Sequence, residues 1–287
     1  MSRTLRTAAR ALLAAAASGA LAQSAPDAKR GEYLAKAGGC AGCHTEAKQG
    51  AVPYAGGRAL KTPFGTFYGP NITPHPQAGI GRWSEADFVR ALRQGLRPDG
   101  AHYFPAFPYP SYTKISDADL RDLWAYLRTV APSERARQAH DLRFPFGWRF
   151  LVAGWKWLYF TPGPQADDPG RSPQLNRGAY LVQALGHCGE CHTPRNALGG
   201  PRRNRYLAGG KGPDGKAIPN LTPTGLKKSS DKDLRDLLTT GLRPDGDVLA
   251  DAMGEVVSNT TSQLRPADLA ALIAYLRSLP PLPDEPK

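Results

Sequence analysis

Outside two Cys-x-x-Cys-His motifs the 287-residue sequence contains no cysteine, and beyond the initiator it contains one methionine, Met253. A zinc site pooled from both pairs would need Cys40 and Cys43 to meet Cys188 and Cys191 across half the chain, and it would leave both histidines without a task. A thioredoxin-like redox pair is disfavoured as well, because no alternating strand and helix pattern surrounds either motif. Lysine and arginine are scattered, with no basic run, which argues against a nucleic-acid partner. Also missing is any apolar run of the roughly 20 residues that a membrane-spanning helix requires. The nearest approach is Ala11 to Ala22, which follows Arg3, Arg6 and Arg10 and ends in Ala20-Leu21-Ala22. That pattern reads as an export signal over residues 1–22, cleaved near Ala22, and predicts a periplasmic protein in an oxidising compartment. Removing its three arginines takes the formal charge from +12 to +9 (12 − 3), still a basic surface suited to acidic partners or an anionic membrane face.

The hydrophobic fraction is modest at 41%, while glycine (31) and proline (27) are abundant, a balance that favours short helices joined by turn-rich loops. Such a chain gains from a cofactor that supplies buried apolar surface. An internal repeat organises it. Arg30-Gly31 before Tyr33-Leu34 answers Arg177-Gly178 before Tyr180-Leu181, and Asn71-Ile72-Thr73-Pro74 answers Asn220-Leu221-Thr222-Pro223. Gly95 to Gly100 returns letter for letter at Gly241 to Gly246, and Ala125-Tyr126-Leu127-Arg128 returns at Ala274 to Arg277. Two tandem copies of one domain follow, with a first domain over 23–138, an interdomain linker over 139–172 and a second domain over 173–287. Each copy predicts three helices: one leading into the cysteines, one opening at Ser84 or Ser230, and one opening near Ser116 or its counterpart. In the last, Leu120, Leu123, Trp124 and Leu127 form an apolar face, repeated by Leu269, Leu272, Ile273 and Leu276. The fold class is therefore all-α, two domains with long loops.

The linker is aromatic, with Trp148, Trp155 and Trp157 between Phe144 and Phe160. It is too short, and too interrupted by Arg149 and Lys156, to cross a bilayer. Two readings stand: packing into the domain interface, or docking on a membrane surface or partner.

The spacing in Cys40-Ala41-Gly42-Cys43-His44 and Cys188-Gly189-Glu190-Cys191-His192 lets two sulfurs reach the edge of one porphyrin while the following imidazole meets the iron. It predicts two covalently bound haem c groups, with His44 and His192 as proximal metal ligands. For the second haem, Met253 lies in the loop before the last helix and is the expected sixth ligand, which raises the potential relative to bis-histidine ligation. The aligned position in the first copy is Phe107, which has no lone pair. There the sixth ligand is either His102, with His75 and His140 as outlying candidates, or absent.

These strings, together with Gly79-Ile80-Gly81-Arg82-Trp83-Ser84, Pro105-Ala106-Phe107-Pro108-Tyr109 and Thr193-Pro194-Arg195-Asn196, make the chain resemble the multihaem class I cytochrome c subunits of bacterial periplasmic alcohol and aldehyde dehydrogenases. The resemblance covers most of the chain. It implies electron relay from a periplasmic dehydrogenase towards quinone, a terminal oxidase or another cytochrome, with peripheral membrane association as a further expectation. Two departures stand out: many relatives have three haems, and many have methionine at the position of Phe107 or near that of Ile115. Electron transfer is the leading function. A peroxidase-like enzyme or a gas-binding protein acting at the first haem is the alternative, and a haem ligated by cysteine is disfavoured because no cysteine remains outside the motifs.

Overall fold

The computed structural model describes residues 25–212 and 215–284; the expected export signal lies outside them. The first copy runs through helices α1 (Ala28–Ala37), α2 (Cys40–His44), α3 (Glu85–Gln94), α4 (Tyr109–Tyr112) and α5 (Asp117–Leu127). After the linker helix α6 (Leu151–Tyr159), the second copy runs through α7 (Pro173–Tyr180), α8 (Gly189–His192), α9 (Pro223–Leu226), α10 (Asp231–Thr240), α11 (Asp251–Asn259) and α12 (Pro266–Ser278). No described helix is long and apolar enough to cross a membrane.

The expected helix starts are where the capping residues put them. Ser84 and Asp87 form a reciprocal capping box at α3, Ser230 and Asp233 repeat it at α10, and the Ser116 side chain caps α5. In each copy the first and last helices cross closely, α1 on α5 and α7 on α12. At the crossings sit Gly31 and Gly178, where a Cβ would collide with the backbone carbonyls of Asp122 and Ala271. A side chain there would push the helix pair apart, so the Arg-Gly of the repeat is a packing requirement.

Some strand is present too. β1 (Ala59–Thr62) and β2 (Gly65–Tyr68) form an antiparallel hairpin in the loop after α2, and β3 (Asp141–Leu142) from the linker adds a third strand. In the second copy the equivalent loop holds, among its described residues, the two-residue pair β4 (Gly210–Lys211) and β5 (Ala217–Ile218).

The two copies share one apolar core. Leu34, Leu120, Leu123 and Leu127 of the first copy belong to the same cluster as Leu181, Leu185, Leu272 and Leu276 of the second. At its edge the copies exchange hydrogen bonds in a two-fold pattern. The Tyr33 hydroxyl donates to Asp268 (2.5 Å) and accepts from the Arg265 N–H (3.3 Å). In mirror fashion the Tyr180 hydroxyl donates to Asp119 (2.6 Å) and accepts from the Ser116 N–H (3.0 Å). Each aspartate also holds the arginine of its own copy, Asp119 pairing with Arg30 and Asp268 taking two bonds of 2.7 Å from Arg177. Duplicated sequence has thus produced a self-complementary interface inside one chain.

Candidate functional site

Both motifs fold into short helices, α2 and α8, entered from the crossing helices through Gly38-Gly39 and Gly186-His187. No disulfide joins the four cysteines. Burial pushes Cys40 and Cys188 up to about 12, so neither is the depressed, reactive thiolate of a cysteine nucleophile.

The histidines are held alike. His44 Nδ1 lies 2.7 Å from the Pro70 carbonyl oxygen, and His192 Nδ1 lies 2.8 Å from that of Pro219. A carbonyl only accepts, so Nδ1 carries the proton and Nε2 keeps the lone pair that iron needs. Burial lowers both imidazoles and keeps them neutral, the ligating form, against the opposing pull of the carbonyl bonds.

The asparagines of the repeated Asn-x-Thr-Pro string brace those carbonyls. Asn71 Oδ1 accepts from the Thr73 N–H (2.9 Å) and hydroxyl (2.7 Å), while its amide donates to the Ser133 (2.8 Å) and Arg135 (3.1 Å) carbonyls. Asn220 repeats the arrangement with Thr222 (2.8 and 2.7 Å), the Leu282 carbonyl (2.9 Å) and Asp284 (3.0 Å). Both asparagines are buried. Sequence reading used these strings to align the copies and gave Pro70, Asn71, Pro219 and Asn220 no role. The signal was there: a proline precedes the asparagine in both copies.

This donor set, two thiols and one neutral imidazole with free Nε2 on a short helix against an apolar core, fits a covalently attached haem in each copy. The two sites adjoin. Burial raises the Cys43 thiol, Arg58 lowers it, and Cys191 of the second motif and Glu255 of α11 add to the rise. Ser111 donates to Glu190 within the second motif (2.7 Å), and the Tyr112 ring meets His187 at 5.4 Å while its hydroxyl donates to the Gly38 carbonyl (2.7 Å).

Met253 lies in α11, where a loop was expected. The first copy carries Pro105, Pro108 and Pro110 in this stretch, and each proline removes a backbone donor, so only the four-residue α4 forms; the second copy has no proline between Pro244 and Pro266, and nine residues stay helical. This helix packs on α2 of the first copy, and its Glu255 accepts two bonds from Arg58 (2.6 and 2.7 Å). Phe107, at the aligned position, packs among Tyr103 (5.3 Å), Tyr112 (5.8 Å) and Tyr109 (6.4 Å).

The three histidine candidates of the first copy each sit in their own setting. His102 lies beside the linker, its carbonyl accepting from Arg149 (2.7 Å), its Nδ1 buried with no hydrogen-bond partner among the described residues. His75 Nδ1 caps a turn at the Ala78 N–H (3.0 Å), and His140 Nδ1 accepts from the Tyr68 N–H (3.1 Å).

The linker answers its two readings on opposite faces. Inward, Lys156 donates to the Gln94 (2.6 Å) and Gly95 (2.8 Å) carbonyls of the first copy, and Trp155 donates to the Leu198 carbonyl of the second (3.1 Å). Outward, Phe144, Trp148, Phe150, Leu151, Trp157 and Leu158 stay exposed.

Comparison with known proteins places a family-model match, described as cytochrome c, over residues 28–131 and again over 175–280. A diheme cytochrome c-type protein of Cereibacter sphaeroides is 47% identical over 259 residues, covering 88% of this chain and 86% of the relative. The cytochrome c subunit of a quinone alcohol dehydrogenase from Gluconobacter oxydans is 40% identical over 288 residues, covering 95% of this chain and 59% of that relative. The fructose dehydrogenase cytochrome subunit of Gluconobacter japonicus is 40% identical over 259 residues, covering 89% of this chain and 53% of its own length. The chain therefore spans nearly all of the diheme relative and between half and two thirds of the two dehydrogenase cytochromes.

Proposed function

The chain belongs to the cytochrome c family, and from that premise we propose that it is an exported, periplasmic dihaem carrier taking electrons from a dehydrogenase of the alcohol or aldehyde type and passing them towards quinone, a terminal oxidase or another cytochrome. The two covalently bound haem c groups supply the redox chemistry; the chain's own residues hold, orient and shield them. Cys40, Cys43, Cys188 and Cys191 form the thioether attachments, and His44 and His192 are the proximal ligands, aimed by Pro70 and Pro219. Met253 is the sixth ligand in the second copy. The first copy has His102 or no side chain in that role, because Phe107 offers no lone pair. The carrying observation is the adjacency of the motifs, with α11 of one copy seated on α2 of the other and Tyr112, bonded to the Gly38 carbonyl ahead of the first motif, 5.4 Å from the ring of His187 ahead of the second. It gives electrons a short route between the copies. Peripheral membrane association accompanies this reading, supported by the exposed aromatic face of the linker.

One observation favours a second reading, a haem enzyme or gas-binding protein acting at the first haem: an aromatic cluster stands where the second copy has Met253. A single set of mixing experiments separates the two. The carrier reading expects rapid reduction of both haems by a quinone-dependent alcohol dehydrogenase and no peroxide turnover. Peroxide consumption at catalytic rates would overturn it.

A further inference from the structure

Arginine and aromatic side chains converge on one face of the linker. A cleft of about 410 Å³ is lined by Arg97, Arg137 and Arg149 with His140, Phe104 and Leu142, and no carboxylate lines it. The Asp99 carboxylate pairs with Arg97 from outside the lining (2.9 Å), so two of the three guanidinium charges lack a carboxylate partner among the described residues. Arg149 is anchored, its guanidinium 4.4 Å over the Phe104 ring and one N–H on the His102 carbonyl. His140 is pushed down to about 4 by burial and then by these arginines; neutral, it accepts at Nδ1 and keeps Nε2–H as a donor.

Arg149 leads directly into α6. Phe150, Leu151, Gly154, Trp157 and Leu158 are spaced to form one helical stripe, and all are exposed, Trp157 at 85% and Phe150 at 66%. Val152 is buried on the opposite side, so this short helix turns an apolar face outward. Phe144 (78% exposed) and Trp148 extend the stripe past the cleft. From Leu142 to Ala166 the sequence has no acid and three bases, Arg143, Arg149 and Lys156.

We infer that the Arg97–Arg137–Arg149 cleft seats the phosphodiester headgroup of an anionic membrane lipid while the outward stripe of α6, with Phe144 and Trp148, lies in the interfacial layer of the bilayer. Guanidinium groups suit phosphate oxygens, and a short Trp- and Phe-bearing helix preceded by Arg143 and Arg149 has the composition of an in-plane interfacial helix. The lining of the cleft offers an anion three guanidinium groups and no carboxylate to repel it, and the apolar stripe beside it carries no charged side chain. The inference deepens the peripheral association of the carrier reading and names the residues that make it.

The test is co-sedimentation of the mature dihaem protein with vesicles of phosphatidylcholine alone or mixed with phosphatidylglycerol, followed by haem absorbance. The protein pellets with the mixed vesicles and far less with the neutral ones. Arg137→Gln weakens binding about fivefold, the triple arginine-to-glutamine variant about a hundredfold, and the Phe150→Ser/Trp157→Ser pair abolishes pelleting, each with the haem spectrum of the parent. Equal pelleting on both vesicles, no pelleting, or binding that survives the replacements overturns the inference. So does a serine variant that pellets normally but loses reduction by the dehydrogenase, because the face would then belong to a protein. Reduction of both haems by a soluble artificial donor, read in the same samples, judges the carrier function separately.

Discussion

Tyr33, in the first helix of the first copy, donates a 2.5 Å hydrogen bond to Asp268, in the last helix of the second, and burial with that bond pushes the phenol up to about 12. Because Asp268 also receives Arg177, one carboxylate fastens both its own helix crossing and the other copy. Tyr33→Phe should cost about 2 kcal/mol, the range for a hydrogen bond to a charged group. Asp268→Ala should cost about 3 kcal/mol, since it strands a partly buried guanidinium. Calorimetry of the parent should show one cooperative transition, and the Tyr33→Phe/Tyr180→Phe double variant should split it in two.

Asn71→Ala leaves its partners Thr73, Ser133 and Arg135 without their side-chain bonds and frees the loop that presents the Pro70 carbonyl to His44. The expected result is a loss of about 2 kcal/mol, together with a shift in the potential of the first haem alone as its imidazole loses a fixed acceptor. Asn220→Ala should do the same to the second haem. Potentiometric titration of each variant, resolved by haem, checks the assignment.

Met253→Leu keeps side-chain volume and removes the sulfur. If Met253 ligates the second haem, its methionine-to-iron absorption band disappears and that haem drops in potential or becomes high-spin, while the first haem keeps its spectrum. A methionine-type band persisting in the variant would contradict both the Met253 assignment and the account of Phe107.

His140 sets an acid-side dependence. Its imidazole is held at about 4 by burial first, then by Arg137, Arg149 and Arg97, against an ordinary value of 6.5. Between these limits the unfolded chain binds a proton that the folded chain refuses, so stability falls as pH drops from about 6.5 to about 4 and levels off below. Thermal midpoints measured across that window should decline, and His140→Gln should flatten the decline. The Tyr68 N–H, which donates to its Nδ1, and the nearby Phe67 and Phe104 rings are the other groups facing this imidazole.

Much of this was legible in the sequence, because the features concerned are local. Serine caps with acids three residues on mark where α3 and α10 begin, and Cys-x-x-Cys-His carries its chemistry in five adjacent positions. What escaped was long-range or decided by competition. Nothing near Tyr33 points to a residue 235 positions away. The helix around Met253 depends on the absence of proline, visible only when the copies are compared for what each lacks. The roles of Pro70 and Pro219 rest on backbone carbonyls, which leave no side-chain signature. The linker offered two readings because aromatic composition alone does not say which face is covered; the structure covers one and bares the other.

The doubled tyrosine–aspartate exchange makes each half the counterpart of the other. A copy carrying both the tyrosine and the aspartate offers donor and acceptor at once, so two such halves join through the same pair of bonds. A change at any of these four positions loosens both halves together. Cut today at the linker, the halves should find each other again in solution, each supplying the acceptor its counterpart lacks.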